Sequence, residues 1–455
     1  MRIKLTSKIH ATDHGVRRSL LVRLAIMSSA PSKVSALALQ ALAIPLVYHS
    51  LGLHEYELFL LLTGVLATIS LAQLGAGPGL TQGIVNAHAQ NDHIREGILL
   101  GAAFRLVAGV ALLGGGGILG AIRLFPITFL FGPAFLHDRA QILSLANPCV
   151  FALVLQIVSG IVDSALAGYQ ELVFTNVGTA LANSLSIVLL MVVCKASPNI
   201  TSFVLVMYGV PAISRLGNLL LLFKRRPYLL SGLVQSGRGC YGVLLHVGLA
   251  FWAIQVASTI EQQSGTFILA HLASTRDTDI FSLIYKTISI AGAVVSMFTL
   301  PLWPAFTDAL ARHDNAWIFR SYIKIRRLLT VYSCVAGLIM MVAGQWIFQH
   351  VMKIDASGYR ALFLIIGLYF IANTWSHLFY ITMMGTGVIW QVAGVAIAEN
   401  ILMVALALLL VPRFGSSGMG LAYLLASLLL PSWILPRMMS KAIPQVSPRS
   451  EITAH

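Results

Sequence analysis

Charge is what this sequence has least of. Only 10% of its 455 residues are Asp, Glu, Lys or Arg, against about 25% in a soluble domain, so ionic side chains are too few to cover a water-facing surface. Acid is the scarcer sign, with 16 Asp and Glu against 30 Lys and Arg. Cysteine is nearly absent: Cys149, Cys194, Cys240 and Cys334 are scattered without paired spacing, which points to packing rather than a disulfide framework or a metal knuckle. Strand-like alternation over about ten positions is missing, which argues against an outer-membrane barrel. The glycine run Gly114–Gly117 lies inside an apolar segment and lacks the Lys-Ser/Thr of a phosphate loop, so it holds no nucleotide.

What remains is oil. The chain is 57% hydrophobic with a mean hydropathy of +0.84, and its apolar runs of roughly 20 residues have the length of membrane helices. The runs lie near Val34–Leu51, Tyr56–Leu74, Ile98–Ile122, Ala140–Val162, Val173–Cys194 and Ser202–Phe223, then Val243–Gln263, Ile280–Leu302, Leu328–Phe348, Ala361–Met384, Val388–Val411 and Gly418–Leu435. They predict an all-α polytopic membrane protein of about twelve helices. The net charge of +14 does not indicate nucleic acid. Most Lys and Arg fall on one side of the predicted spans, as in Arg17–Lys33, Lys224–Arg226 and Arg320–Arg327. That asymmetry places both termini in the cytosol. Ser28–Ala30 looks like a signal cleavage site, but Arg23 splits the apolar run before it, so 1–33 reads as a basic cytosolic or interfacial tail.

The twelve segments read as six plus six. Gly77–Arg95 aligns with Trp303–Arg320, pairing Pro78 with Pro304, Leu80 with Phe306 and Thr81 with Thr307; Gly168 and Asn183 match Gly385 and Asn400. An even number of spans per half makes the copies parallel repeats. The expected organisation is a tail over 1–33, a lobe over 34–223, a cytosolic linker over 224–242, a second lobe over 243–436 and a cytosolic tail over 437–455. Pro301 and Pro304 should end the eighth helix.

An ionised side chain at the bilayer centre costs at least about 2.5–3.5 kcal/mol, so such residues usually face protein or water and mark function. Arg105, Arg215, Lys286 and Glu261 stand at such depth, each among small or polar helical neighbours. Three cations to one acid suggest a positive cavity between lobes that receives an anion. The plainer reading is a set of buried ion pairs holding the bundle together, with Glu261 as partner of Lys286 or Arg215. Glu399, Gln255, Gln262, Asn373 and His377 form a secondary set for coupling or for lining the same space. Asp163 is placed near a membrane surface. No metal ligand set and no cofactor is expected, and the energy source is left open between a proton and a sodium gradient.

With these features on the page, the chain resembles the polysaccharide-transporter branch of the multidrug/oligosaccharidyl-lipid/polysaccharide exporter superfamily. The resemblance rests on Pro301–Arg320, on Phe251–Leu272 and on the Gly168-Tyr169-Gln170 turn. It implies two six-helix lobes that open alternately to either side of a bacterial plasma membrane. It also implies a flippase moving oligosaccharide on a polyprenyl pyrophosphate from the cytosolic to the outer leaflet. Membrane lipids, a glycan polymerase and export machinery are then the expected partners, and nucleic acid is not. The alternative of the same fold is a cation-coupled multidrug exporter, which favours acids in its cavity. A membrane enzyme would need a large outer loop or an intramembrane His/Asp pair, and neither is evident. A scaffold for glycan assembly is the remaining class.

Overall fold

Each apolar run buries its own backbone polarity by coiling, because hydrocarbon offers no hydrogen-bond partner. The computed structural model describes residues 2–52, 54–60, 62–63, 75–126, 138–196, 198–233, 235 and 238–442, with the backbone alone for 2–14, 238 and 442. Among the described residues every regular element is helical, and ten helices are long and apolar enough to cross a membrane. The predicted second span, Tyr56–Leu74, lies largely outside the described residues. The last two predicted spans are one element of 41 residues, Ile389–Leu429, interrupted at Gly415, whose φ of 54° and ψ of −134° leave the helical region.

The chain divides into two compact units, Arg17–Leu249 and Ala250–His455 with Met1–Val16. The first unit holds most of α1 (Arg2–Leu51), then α2 (Ala76–Ala89), α3 (His93–Leu124), α4 (Arg139–Gly168) and α5 (Leu172–Ala196). It continues through α6 (Ile200–Arg225), the short α7 (Tyr228–Leu233) and the first turns of α8 (Arg238–Leu272). The second unit holds the rest of α8, then α9 (Thr275–Thr299), α10 (Leu302–Ala311), α11 (Asn315–Val351), α12 (Arg360–Gly385), α13 (Ile389–Leu429) and α14 (Pro431–Ala442).

Two sequence expectations change here. The basic stretch before Val34 is helix rather than tail: Gly15–Leu51 is one apolar helix, with Arg18 buried and Arg23 and Lys33 exposed along it. Long cationic side chains can lay their stems on an apolar surface while the head stays wet, so isolated charges do not end a helix. The stretch expected as a linker, 224–242, carries α7, whose backbone presses on α3. A Cβ on Gly232 would lie 2.5 Å from the backbone of Gly97, and one on Gly101 would lie 2.8 Å from the Leu233 carbonyl oxygen.

The proline break is where the sequence put it. α9 ends at Thr299 and α10 starts at Leu302, with Pro304 in its first turn, where its missing amide costs nothing.

Each unit builds the same corner. Asn91 and His313 both adopt φ 57°, and the next residues, Asp92 and Asp314, cap the following helix by accepting from the amides of Arg95 and Trp317 at 3.0 and 3.2 Å. Gly168 lets α4 approach Ile84, and Gly385 lets α12 approach Phe306, where added Cβ atoms would fall 2.9 and 2.6 Å from those side chains. Past each glycine stands a left-handed residue, Gln170 in one unit and Gly387 in the other. The repeat is therefore present, but its register is Ile84 with Phe306 rather than Leu80 with Phe306. α2 has 14 residues and α10 has 10, and a one-turn difference is the easiest slip for a helical alignment to make.

Candidate functional site

In the first unit, α4 and α6 bring Asp163 and Arg215 together. The Arg215 Nε donates to Asp163 Oδ2 at 2.7 Å, and about three-quarters of each side chain is covered. The pair lines a pocket of about 240 Å³ with Gln156, Thr179, Asn183 and Asn218. Arg215 is thus not a free cation awaiting an anion. Its charge is matched by the acid that sequence reasoning set aside as superficial, and the pocket is polar without net charge.

Arg105, on α3, spends its donors elsewhere. Its Nη1 reaches the Leu233 carbonyl at 2.6 Å, Nη2 the Gln235 carbonyl at 3.1 Å and Nε the Tyr241 hydroxyl at 3.1 Å. These are the loose carbonyls at the end of α7, which a guanidinium near a helix C-terminus satisfies well. The side chain is exposed, but its principal contacts hold α7 against α3, and it does not line the Arg215 pocket.

A second polar cluster in this unit went unpredicted. Glu96, wholly buried, accepts from the Tyr169 hydroxyl at 2.7 Å and the Tyr228 hydroxyl at 2.8 Å, and its other oxygen faces Nδ1 of His88 and His93 at 3.1 and 3.2 Å. The Arg226 guanidinium stacks 3.8 Å over the Tyr169 ring and pairs with Glu171 through two hydrogen bonds of 2.9 and 3.2 Å. Three corners, α2–α3, α4–α5 and α6–α7, meet on this one carboxylate. Burial and the hydrogen bond to Glu96 push the Tyr228 phenol up to about 12.

In the second unit Asp308 pairs with Arg312 at 2.9 Å and Asp355 with Arg276 at 2.6 Å, whereas two acids of long apolar helices are held by tyrosines. Glu261 on α8 accepts from the Tyr369 hydroxyl at 2.5 Å, and Tyr369 in turn accepts from the Asn373 amide at 3.0 Å. The Tyr423 hydroxyl donates to the backbone carbonyl of Glu261, and its ring lies 5.4 Å from that of Tyr285 and 5.3 Å from that of Tyr369. Glu399 on α13 accepts from the Tyr380 hydroxyl at 3.0 Å, so both acids are bound by tyrosines of the one helix α12. Neither carboxylate has a cationic partner among the described residues. Within the second unit Glu261 makes no ion pair with Lys286 among the described residues.

The remaining predicted residues scatter. Lys286 on α9 is exposed and has no hydrogen bond or ion pair among the described residues. His377 shares a hydrogen bond of 3.0 Å with Thr299, one helical turn from Asn373. Gln255 and Gln262 are exposed along α8 and take no part in the hydrogen bonds of Glu261. The structure thus gathers Glu261, Asn373 and Glu399 of the predicted set and adds Tyr285, Tyr369, Tyr380 and Tyr423. A signal for the tyrosines existed: Tyr369, Asn373, His377 and Tyr380 recur at helical spacing along one stripe of α12. Among the described residues no cluster of three His, Cys, Asp or Glu could hold a metal.

No protein-family model and no curated protein sequence matches the chain. Solved structures do. A variant of the Vibrio cholerae MATE transporter VcmN superposes with a TM-score of 0.79 at 13% identity, covering 94% of this chain and 98% of the other. An outward-facing multidrug-resistance MATE transporter of the MOP superfamily gives 0.74 at 14% identity, covering 94% and 97%. A MOP-superfamily transporter from Pyrococcus furiosus, described by the reverse polarity of its binding pocket as suggesting a different function, gives 0.74 at 13% identity, covering 93% and 96%. The chain is a multi-pass helical membrane protein with the fold of the MATE transporters of the MOP superfamily.

Proposed function

We propose that this chain is a cation-coupled secondary transporter that exports lipophilic organic cations across a bacterial plasma membrane. The observation that carries the reading is the pair Glu261 and Glu399, two carboxylates on long apolar helices, hydrogen-bonded to tyrosines of α12 and without a cationic partner among the described residues. A charged carboxylate at that depth costs at least about 2.5–3.5 kcal/mol, so the cluster favours whatever neutralises it. A proton, a sodium ion or a cationic cargo can each do so, and competition between them couples one flux to the other. The faces of Tyr285, Tyr369 and Tyr423 add cation–π attraction for an organic cation. A transporter switches only if its ligands bind its two states differently, and a site that changes charge meets that requirement. Solved neighbours named as multidrug transporters support this cargo over a glycan.

Export of tetraphenylphosphonium from vesicles under an imposed proton or sodium gradient tests the reading. Movement that tracks one gradient and stops in Glu261→Gln supports it, and absence of gradient-driven movement by the wild type removes it.

A second reading has its own support. The neutral, amide-lined Asp163–Arg215 pocket, Lys286 without a partner among the described residues and the resemblance over Pro301–Arg320 suit a flippase of polyprenyl-pyrophosphate-linked oligosaccharide. That cargo would bring glycan polymerase and export machinery as partners. Leaflet exchange of a labelled lipid-linked sugar by the wild type, lost in Lys286→Gln, selects it over the exporter.

A further inference from the structure

We propose that the amino-terminal half of α11 carries a binding site for one anionic phospholipid of the surrounding membrane. Arg320, Lys324 and Arg327 are exposed and spaced at four and three residues, so they stand on one stripe of the helix. None has a hydrogen bond or ion pair among the described residues. Like charges one turn apart on a helix repel, so an external anion seated on the ladder relieves that repulsion. The nearest other cation is already engaged: the Arg326 guanidinium lies 5.7 Å from the Tyr322 ring and 5.8 Å from the ring of Trp375 on α12.

The same stripe then turns to hydrocarbon. Leu328, Val331, Val335, Leu338 and Val342 follow at helical spacing and are all exposed, Val342 at 76%. From Arg327 to Val342 the helix rises about 22 Å, a length that suits an acyl chain. Trp375, partly exposed beside Arg326, supplies the amphipathic ring that favours the headgroup level. A cationic rung above an apolar track matches the two chemistries of an anionic phospholipid in the right order. A soluble phosphate would use only the first of them. A zwitterionic lipid would bring its own cation to the ladder.

The site is independent of the cargo and of the coupling cluster. The test is native mass spectrometry of the purified full chain titrated with palmitoyl-oleoyl phosphatidylglycerol, with the phosphatidylcholine of the same chains and with soluble glycerol phosphate. A charge-assisted contact to one phosphate predicts a preference for phosphatidylglycerol over phosphatidylcholine of about tenfold or more. The preference should fall to within about twofold in the Arg320→Gln/Lys324→Gln/Arg327→Gln variant and should survive in Lys324→Arg. Should the triple variant fail to fold, the single Lys324→Glu variant reads the same loss. Equal binding of the two lipids by the wild type, an undiminished preference in the glutamine variant, or displacement of phosphatidylglycerol by glycerol phosphate would each overturn the proposal.

Discussion

At the scale of single residues, Glu96 shows how a buried charge can be held by dipoles and half-exposed imidazoles. Four donors converge on it from three corners, so its removal leaves several of them without an acceptor. Glu96→Ala should destabilise the first unit by about 3 kcal/mol, read as a lowered thermal midpoint, with Glu96→Gln costing less. The Tyr228 phenol provides a pH test. Its folded value near 12 lies above the ordinary 10.0, so the neutral form is favoured by folding. That contribution is complete below pH 10 and disappears as pH rises through about 12. Alkaline destabilisation over this window, weakened in Tyr228→Phe, is the expected outcome. The Asp163–Arg215 pair makes a second residue-scale prediction: Asp163→Asn and Arg215→Gln should each harm stability, and the double variant should recover part of the loss, with a coupling of about 1–3 kcal/mol. Sequence reasoning found Arg215 but missed its partner. Depth along a helix predicts cost but does not say which neighbouring helix supplies the opposite charge.

At the scale of elements, glycine sets what can pack. Gly232→Ala would push a Cβ to within 2.5 Å of the Gly97 backbone and should cost about 1–3 kcal/mol by prying α7 from α3. Limited proteolysis after Arg238 would report the loosened element. Gly415 is required differently: its φ of 54° with ψ −134° belongs to a region essentially reserved for glycine. Gly415→Ala should straighten or destabilise the junction within α13, seen as a lowered thermal midpoint of the second unit. Long apolar runs made the spans legible, and Pro301 made the α9–α10 break legible. The internal repeat was legible too, although its register was one turn off, because the matches of Pro78 with Pro304 and Thr81 with Thr307 conceal the extra turn of α2. α7 was not legible. Lys224–Gly242 has linker composition, and only the tertiary approach permitted by Gly97, Gly101 and Gly232 makes six residues of it a packed helix.

At the scale of the whole molecule, each of the two units carries its own polar chemistry. The first pairs its buried charges internally, Arg215 with Asp163 and Arg226 with Glu171. The second pairs Arg312 with Asp308 but leaves Glu261 and Glu399 hydrogen-bonded to tyrosines, with no cation partner among the described residues. A count of charges along the sequence suggested a positive cavity. In the structure Arg215 is paired with Asp163 and Arg105 is held by carbonyls and a tyrosine, while Glu261 and Glu399 have no ion pair among the described residues. The most direct test is equilibrium binding of tetraphenylphosphonium to the purified protein as pH is lowered or sodium is raised, compared between wild type and Glu261→Gln/Glu399→Gln. The account predicts that wild-type affinity falls as the coupling cation increases, while the variant binds at least about tenfold more weakly and ignores both conditions. Wild-type affinity in the double variant, with the same dependence on pH or sodium, would contradict it.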